Sequence, residues 1–292
     1  MKIAFLFLIY NIINQEELWY DFFKNIDKSK YSIYIHYKTD IPLKYFNEYK
    51  LKNCIETNYC TTSIIRAHNL LIRTALEDND NYKFINLSQA CIPLKSFDHI
   101  YNFLIKDNNS YFSYSDYYHP RCEPALKYLE MNKIKTGANW FITNRELASL
   151  ISDKKYEYYI DYFKDVYCPE EHYFITLIFD KSNYTESVIS KSAETMFPTF
   201  ANWKDSNYKF MKKDDGQYRK SIKNYDKIEM KELDYLLESE SLFGRKFNIS
   251  CTVYDRKKKL FIPIAEYYKG KLGQTTFLGQ TTFSLALSLP SA

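Results

Sequence analysis

The feature that most limits the possible folds is a regular alternation of strand-like and helix-like runs over the first two hundred residues. The strand-like runs are short, apolar and rich in β-branched and aromatic side chains: 2–9, 31–38 and 82–87. The helix-like runs carry apolar side chains at helical spacing: 15–26, 61–78 and 96–105. This order predicts an α/β fold in which helices flank a mainly parallel, Rossmann-type central sheet.

Further elements are predicted beyond residue 110, with less regular spacing. Two more strands and three more helices are expected: strands 111–115 and 139–144, and helices 145–153, 156–165 and 230–240. The segment 181–228 is polar and irregular, and we expect it to consist mostly of loops.

Composition and charge exclude several classes of protein. Of the 292 residues, 46% are hydrophobic and 26% are charged, which is typical of a globular chain. The net charge is only +4, and the lysines are scattered among acidic neighbours, so a nucleic-acid partner is not expected. The six cysteines form no CxxC pair, which predicts mostly reduced, buried thiols and no zinc site.

The two ends of the sequence are interpreted from their patterns. The opening MKIAFLFLIYNII is too short to span a bilayer and precedes no small-residue cleavage site, so we interpret it as a buried strand. No other apolar stretch has the length of a membrane span, and a soluble, cytoplasmic protein is expected. LGQTTF occurs twice in tandem at 272–283, which predicts a low-complexity tail over 266–292 after one domain over 1–265.

Five sequence blocks resemble one family of enzymes in their order and approximate spacing. The blocks are NLSQACIPLKSF, GANWFITNRELA, PEEHYFITL, FANW and LFGRKF. They are similar to blocks of the core-2/I-branching β-1,6-N-acetylglucosaminyltransferases, particularly the plant and microbial branch, and the resemblance covers roughly residues 1–250. It implies a GT-A-like, inverting transferase that moves a sugar, N-acetylglucosamine, from a UDP-sugar to a hydroxyl of a glycan or glycoconjugate.

The resemblance also assigns a role to each of two parts of the predicted domain. Residues 1–110 would bind the sugar nucleotide, and residues 111–265 would carry the acceptor and catalytic side. Because open parallel sheets bind ligands at the carboxyl ends of their strands, His36, Ser88 and Gln89 would lie near the nucleotide. For His36, a buried core histidine is an equally good interpretation.

The stretch YCPEEHYF contains two candidates for the general base. Pro169 suits a first helical turn, and acids there complement the helix dipole, so Glu170 and Glu171 could serve only that purpose. Helical spacing does not separate the two. The resemblance does, because it implies that Glu171, directly before His172, takes the proton of the attacking hydroxyl.

The diphosphate is expected to be held without a metal or any other cofactor. The acidic motif DND at 78–80 precedes strand 82–87, which is the wrong end of the strand for a ligand site, and no acid follows that strand. The resemblance implies that basic side chains replace the cation, and it points to Lys246, Lys223 and Arg245. Lys223 stands where the family has an arginine, and a solvated basic loop is an equally good interpretation of it.

The acceptor side is also inferred from the resemblance. It implies that Trp203 stacks on the acceptor sugar and that Asn139 and Arg145 shape that side, whereas Trp203 could instead be a core residue and Arg145 a salt-bridge partner at a helix start. Cys168 and His172 lie four residues apart, but no third ligand or catalytic partner accompanies them.

Two alternatives to N-acetylglucosamine transfer stay open at this point. One is a transferase of the same fold that uses another donor, such as UDP-glucose or UDP-xylose. The other is a catalytically silent carbohydrate-binding protein, against which the presence of both Glu171 and Lys246 argues, because a pure binder needs no general base. The sequence gives no indication of the oligomeric state.

Overall fold

A computed structural model describes residues 1–190, 197–203, 211–212, 218–219 and 222–272 of the chain. The α-helices are α1 Glu16–Phe23, α2 Thr62–Leu76, α3 Phe97–Ile105, α4 Arg145–Ser152, α5 Glu170–Lys181, α6 Met230–Glu238 and α7 Ile264–Leu272. The strands are β1 Lys2–Ile9, β2 Tyr31–Tyr37, β3 Asn81–Ser88, β4 Ile92–Pro93, β5 Ser110–Phe112, β6 Tyr114–Ser115, β7 Thr136–Gly137, β8 Ile142–Asn144, β9 Val188–Ser190, β10 Thr199–Ala201, β11 Met211–Lys212, β12 Tyr218–Arg219, β13 Tyr225–Glu229, β14 Phe243–Arg245, β15 Phe247–Asp255 and β16 Leu260–Pro263. The predicted helix over 156–165 is a 3-10 helix, Lys154–Phe163.

The largest sheet has six strands in the order β2-β1-β3-β8-β5-β9. Strand β1 pairs in parallel with β2 and β3, while β8 runs antiparallel to both β3 and β5, so the sheet is mixed. The prediction of a mainly parallel sheet therefore holds for β1, β2 and β3, and the antiparallel β8 makes the sheet as a whole mixed. The direction of β8 could not be predicted, because the residue pattern of a three-residue strand does not indicate which way it runs.

Helices cover both faces of this sheet, as the alternation of elements predicts. One buried cluster packs α2, α4 and α5 against side chains of β1 and β3 such as Leu6 and Phe84. The cluster on the other face packs α1 and α3 against Phe5, Phe7 and Ile85. Burial on both faces explains why the strands read as continuous apolar runs.

The parallel strands end in register at one edge of the sheet. Leu8 of β1 pairs with His36 of β2 and with Ser88 of β3, so the chain leaves all three strands at the same level. Side chains in the segments that follow β1, β2 and β3 are thereby brought close together, which positions the site described below.

A second, three-stranded sheet lies beyond this edge. Its order is β10-β14-β4, with β14 parallel to β10 and antiparallel to β4. The amide of Phe247 donates to the carbonyl of Ala90 over 2.9 Å. These contacts fix the segment after β3 against the LFGRKF block, although about 150 residues separate the two blocks in sequence.

The end of the chain contributes more to the fold than its sequence predicts. A third sheet, β13-β15-β16, packs with α6 and α7, and Tyr267 and Tyr268 of α7 are buried. The hydroxyl of Tyr268 donates to the carbonyl of Pro93 over 3.0 Å. The predicted tail therefore begins too early, because residues 266–272 form a packed helix. The repeated LGQTTF falls outside the described residues from position 273 onward.

Two of the six cysteines depart from the prediction of mostly reduced thiols. Cys60 and Cys168 form a disulfide that joins the segments preceding α2 and α5. The other four cysteines are free, and all of them except Cys54 are buried. A disulfide is not typical of a cytoplasmic protein. The expected cytoplasmic location stays a prediction.

Among the residues that the structure describes, no helix combines the length and the apolar character that a membrane span requires.

Candidate active site

A cavity of about 250 Å³ opens between the start of α5, the segment around β7 and the second sheet. Its lining comes from six parts of the chain: Ser113, Tyr114, Ser115, Thr136, Gly137, Ala138, Asn139, Trp140, Glu171, Thr199, Ala201, Trp203, Ile222 and Arg245. Four residues selected from the sequence, Glu171, Asn139, Trp203 and Arg245, thus meet in one place.

Glu171 lies in the first turn of α5, and its carboxylate accepts a charge-assisted hydrogen bond from the guanidinium of Arg121. The same guanidinium donates from Nε to Nε2 of His172 over 2.7 Å, and Nδ1 of His172 lies 3.1 Å from the carbonyl of Lys135. Burial, followed by the charge of Arg121, lowers the pKa of His172 to about 3, so this imidazole is neutral. The network orients the Glu171 carboxylate while leaving its side chain 37% exposed.

Glu170 occupies a different environment from its neighbour. Its side chain is buried, and burial raises the pKa of its carboxyl to about 7, with a smaller contribution from the charge of Glu171. A hydrogen bond from Asn139 acts in the opposite direction. Glu170 does not line the cavity, whereas Glu171 does.

Arg245 brings a buried positive charge to the cavity. Its guanidinium lies 4.2 Å from the ring centre of Trp140, and its Nε has no hydrogen-bond partner among the described residues. Burial lowers the pKa of Arg245. A buried cation without a carboxylate partner is costly, so this position favours an anionic ligand.

Lys246 adds a second basic group next to Arg245. Burial, followed by the charge of Arg245, lowers the pKa of Lys246 to about 8, while the charge of Glu171 acts in the opposite direction. Lys246 is not among the residues that line the cavity. Its charge interacts with those of Arg245 and Glu171, which do line it.

Lys223, the third predicted cation, is engaged elsewhere. Its Nζ lies 3.2 Å from the carboxylate of Glu232 and 4.8 Å from the ring centre of Tyr225. Its backbone amide donates to the carbonyl of Asn202, which connects it to the FANW block. The charge of Lys223 is thus already paired with a carboxylate, in contrast to that of Arg245.

The cavity has an apolar and aromatic wall beside small polar groups. Trp203 is 38% exposed, so it is not a core tryptophan. At Gly137 an added Cβ would lie 3.2 Å from Cβ of Tyr114 and 3.3 Å from the carbonyl of Ser113. A side chain there would crowd the wall, which explains a glycine at this position.

The structure places Arg145 away from the cavity, which corrects the prediction that it shapes the acceptor side. Its guanidinium donates to the carbonyls of Leu76, Asp78 and Asn81, at the end of α2 and the start of β3. These groups lie at the opposite end of the sheet from the carboxyl ends of the parallel strands. Arg145 therefore connects α4 with the turn between α2 and β3.

The three residues predicted near the nucleotide lie at the carboxyl ends of the parallel strands. Nε2 of His36 accepts a hydrogen bond from the amide of Ile55 over 3.0 Å, and burial lowers the pKa of His36 to about 4. Oγ of Ser88 lies 3.2 Å from Sγ of Cys91, and the carbonyl of Gln89 accepts from the amide of Asn14. All three take part in structural contacts, and His36 is a buried residue of the sheet.

Among the described residues, one cluster has the residue types of a metal site but not the ionised thiols that a metal would need. Cys60, Cys168 and Glu170 lie within 4.8 Å of one another, but the two sulfurs are bonded to each other and neither is a thiolate. In the DND motif, in the turn before β3, the carboxylate of Asp78 forms a salt bridge with Lys2 over 2.9 Å.

Sequence comparison identifies the family that this chain belongs to. The profile described as Core-2/I-Branching enzyme matches residues 3–234, which is most of the chain. The chain belongs to the core-2/I-branching enzyme family. It is also 25% identical over 162 residues to a protein named Glycosyltransferase BC10 from Oryza sativa subsp. japonica, a match that covers 51% of this chain and only 40% of that protein.

A solved structure adds nothing to this assignment. The crystal structure of A197 from STIV superposes with a TM-score of 0.28 and 10% identity, over 52% of this chain and 70% of that one. So weak a likeness carries no argument. The family assignment therefore rests on the profile match over residues 3–234.

Sequence reasoning missed two residues of the site of this core-2/I-branching enzyme. Arg121 contacts Glu171 across 50 positions of sequence, and Trp140 lies under Arg245. Trp140 falls inside the GANWFITNRELA block, so the resemblance could have identified it. The HPRCEP segment around Arg121 carries no comparable signal.

Proposed function

We propose that the protein is an inverting, metal-independent glycosyltransferase with a GT-A-like scaffold. It transfers N-acetylglucosamine from a UDP-sugar to a hydroxyl of a glycan or glycoconjugate. The observation that carries this proposal is that the carboxylate of Glu171 lines the same cavity as Arg245, whose buried Nε has no hydrogen-bond partner among the described residues. Residues 1–110 bind the nucleotide, and residues 111–265 carry the acceptor and the catalytic carboxylate.

The general base of this reaction is Glu171. A sugar hydroxyl is a weak nucleophile at neutral pH, and a carboxylate within hydrogen-bond reach takes its proton as the oxygen attacks the anomeric carbon. The guanidinium of Arg121 contacts the Glu171 carboxylate and holds it in one orientation. One carboxylate is sufficient, because a single displacement inverts the configuration without a covalent intermediate.

Arg245 and Lys246 stabilise the departing diphosphate. Negative charge grows on the β-phosphate as the glycosidic bond breaks, and fixed cations in a buried site stabilise that charge more in the transition state than in the ground state. Both residues belong to the LFGRKF block, next to the segment that follows β3. Lys223 plays a smaller part, because Glu232 already neutralises its charge.

The acceptor occupies the cavity itself. Trp203 offers an aromatic face to a sugar ring, and hydroxyl groups of Ser113, Ser115 and Thr136 lie around it. A catalytically silent carbohydrate-binding protein would use the same wall. It would not need a buried guanidinium whose Nε lacks a hydrogen-bond partner among the described residues, and on that observation we favour the enzyme.

The test is a transfer and donor-hydrolysis assay over UDP-N-acetylglucosamine, UDP-glucose and UDP-xylose with wild type, Glu171→Gln and Glu170→Gln. The amide keeps the shape of the carboxylate but cannot accept the proton, so Glu171→Gln should lower the rate by about 10² to 10⁴. Its UDP affinity should stay close to that of wild type. Glu170→Gln is the matched control and should keep most of the activity.

Two results would contradict the proposal. Full activity of Glu171→Gln together with loss in Glu170→Gln would assign the base to the other carboxylate. Loss of wild-type activity in EDTA that manganese restores would refute the assignment of Arg245 and Lys246 as the groups that replace a metal ion.

A further inference from the structure

The longest run of basic residues in the chain lies at the tip of the hairpin formed by β15 and β16. Asp255 pairs with Leu260 across the two strands, and the four residues between them, 256–259, read RKKK. All four are exposed. The chain as a whole has a net charge of only +4, so four positive charges within one turn are a marked local concentration.

The structure holds this turn in place and leaves most of its charge unneutralised. Oδ1 of Asp255 accepts hydrogen bonds from the amides of Lys257 over 3.0 Å and Lys258 over 3.2 Å. Arg256 lies 3.4 Å from the carboxylate of Glu229. Among the described residues, the three lysines of the turn form no salt bridge. The tip of the hairpin therefore presents free cations to the solvent.

Two large apolar side chains follow the cations directly. Leu260 is 53% exposed and Phe261 is 58% exposed. The ring centre of Phe261 lies 4.8 Å from that of Tyr254 on the neighbouring strand, which supports the ring in its exposed position. Within the described part of the chain β16 is an edge strand, so no further strand covers this side. Single exposed apolar residues are ordinary, but here two of them adjoin a basic turn.

The combination of charge and apolar exposure distinguishes between possible partners. A dissolved polyanion, such as a nucleic acid or an acidic polysaccharide, would neutralise the cations and leave the apolar side chains in water. An anionic bilayer contacts both groups, because its headgroups attract lysine and arginine and its interface accepts leucine and phenylalanine side chains. The observed surface matches the bilayer better.

We propose that the turn 256–259, together with Leu260 and Phe261, binds the protein to the surface of an anionic membrane. The cations contact the lipid headgroups, and the two apolar side chains enter the boundary between headgroups and acyl chains. Contact of this kind requires no helix that spans the bilayer. The hairpin lies beyond residues 3–234, which the family profile matches, and membrane binding does not depend on the proposed transferase reaction.

Cosedimentation of the full chain with vesicles of phosphatidylcholine, with and without phosphatidylserine, tests the proposal. Wild type should sediment with the vesicles that contain phosphatidylserine and not with the neutral ones, and added salt should weaken this binding. The double variant Lys257→Gln, Lys258→Gln should bind about 5-fold more weakly for each charge removed. Phe261→Ser loses the apolar contact and should bind about 10-fold more weakly.

Two variants elsewhere in the chain are matched controls. Lys154→Gln, Lys155→Gln removes the same charge from an exposed pair in the 3-10 helix Lys154–Phe163. Met131→Ser removes an apolar side chain that is 53% exposed. Both controls should bind anionic vesicles as wild type does. Melting curves should show that all four variants are folded, because every substituted side chain is exposed.

The proposal is wrong if any of three results is obtained. Wild type that binds neither kind of vesicle would mean that the cations only protect the edge strand from pairing with other chains. Equal losses in the two double-lysine variants would mean that net charge, and not the hairpin, determines binding. Heparin and vesicle binding that both fall in Lys257→Gln, Lys258→Gln and stay unchanged in Phe261→Ser would assign the turn to a dissolved polyanion.

Discussion

Glu170 and Glu171 are identical in chemistry and adjacent in sequence, and their surroundings separate them. Burial raises the pKa of Glu170 to about 7, while Glu171 lies on the cavity and bonds to Arg121. Helical spacing alone could not distinguish them, because both begin α5 and both precede the same apolar run. The resemblance of PEEHYF to the family motif selected Glu171, and the cavity is consistent with that selection.

The proposed role of Lys246 predicts that binding of the diphosphate depends on pH. Because burial lowers its pKa to about 8, the free protein loses this positive charge as the pH rises through that value. A bound phosphate stabilises the charged form, so binding then requires uptake of a proton. We expect the affinity for UDP to be constant below pH 7 and to fall by up to about 10-fold per pH unit above pH 8. Calorimetric titrations from pH 6.5 to pH 9.5 measure this dependence.

The matched control for this prediction is Lys246→Arg. An arginine stays charged over the whole range, so UDP affinity of the variant should not decline above pH 8. A decline of the same size in both proteins would mean that another group titrates and that Lys246 does not contact the phosphate.

Elements of the fold differ in how far the sequence could predict them. The eight-residue strands β1 and β3 and the long helix α2 were predicted to within about two residues, because each carries a full period of its pattern. The second sheet was not predicted, since β4, β10 and β14 have two or three residues each. Contacts across about 150 residues give these strands their conformation, and no local pattern records such contacts.

Arg145 is an example of a residue whose element decides its role. Its guanidinium donates to three backbone carbonyls between α2 and β3, so Arg145→Leu would leave those carbonyls without their donor. Loss of hydrogen bonds to a charged group should lower the free energy of unfolding by about 2 to 4 kcal/mol. The acceptor KM of the folded protein should not change. Thermal or urea unfolding and steady-state kinetics measure the two quantities, and a raised acceptor KM at unchanged stability would restore the acceptor role.

At the scale of the whole molecule, the C-terminal elements pack against the segment that positions the site. The third buried cluster joins Ile264, Tyr267 and Tyr268 of α7 to Ile92 and Leu94, which follow the segment after β3. The same segment is held next to Arg245, the last residue of β14, by the amide of Phe247 and by the pairing of β4 with β14. Packing of α7 therefore stabilises the position of the groups proposed to bind the diphosphate.

Two truncations test this arrangement and the domain boundary together. A chain ending after Leu272 keeps α7 and the contacts that the described residues make with one another, and it should melt within about 2 °C of the full chain. A chain ending after Pro263 loses two buried tyrosines and one buried isoleucine. Each large buried side chain contributes about 3 to 5 kcal/mol, a sum that approaches the stability of a whole domain. The shorter chain should lose its cooperative melting transition and its affinity for UDP, both measured on purified protein. If it melted and bound UDP as the longer chain does, the domain would end near residue 265, where the sequence pattern alone placed its boundary.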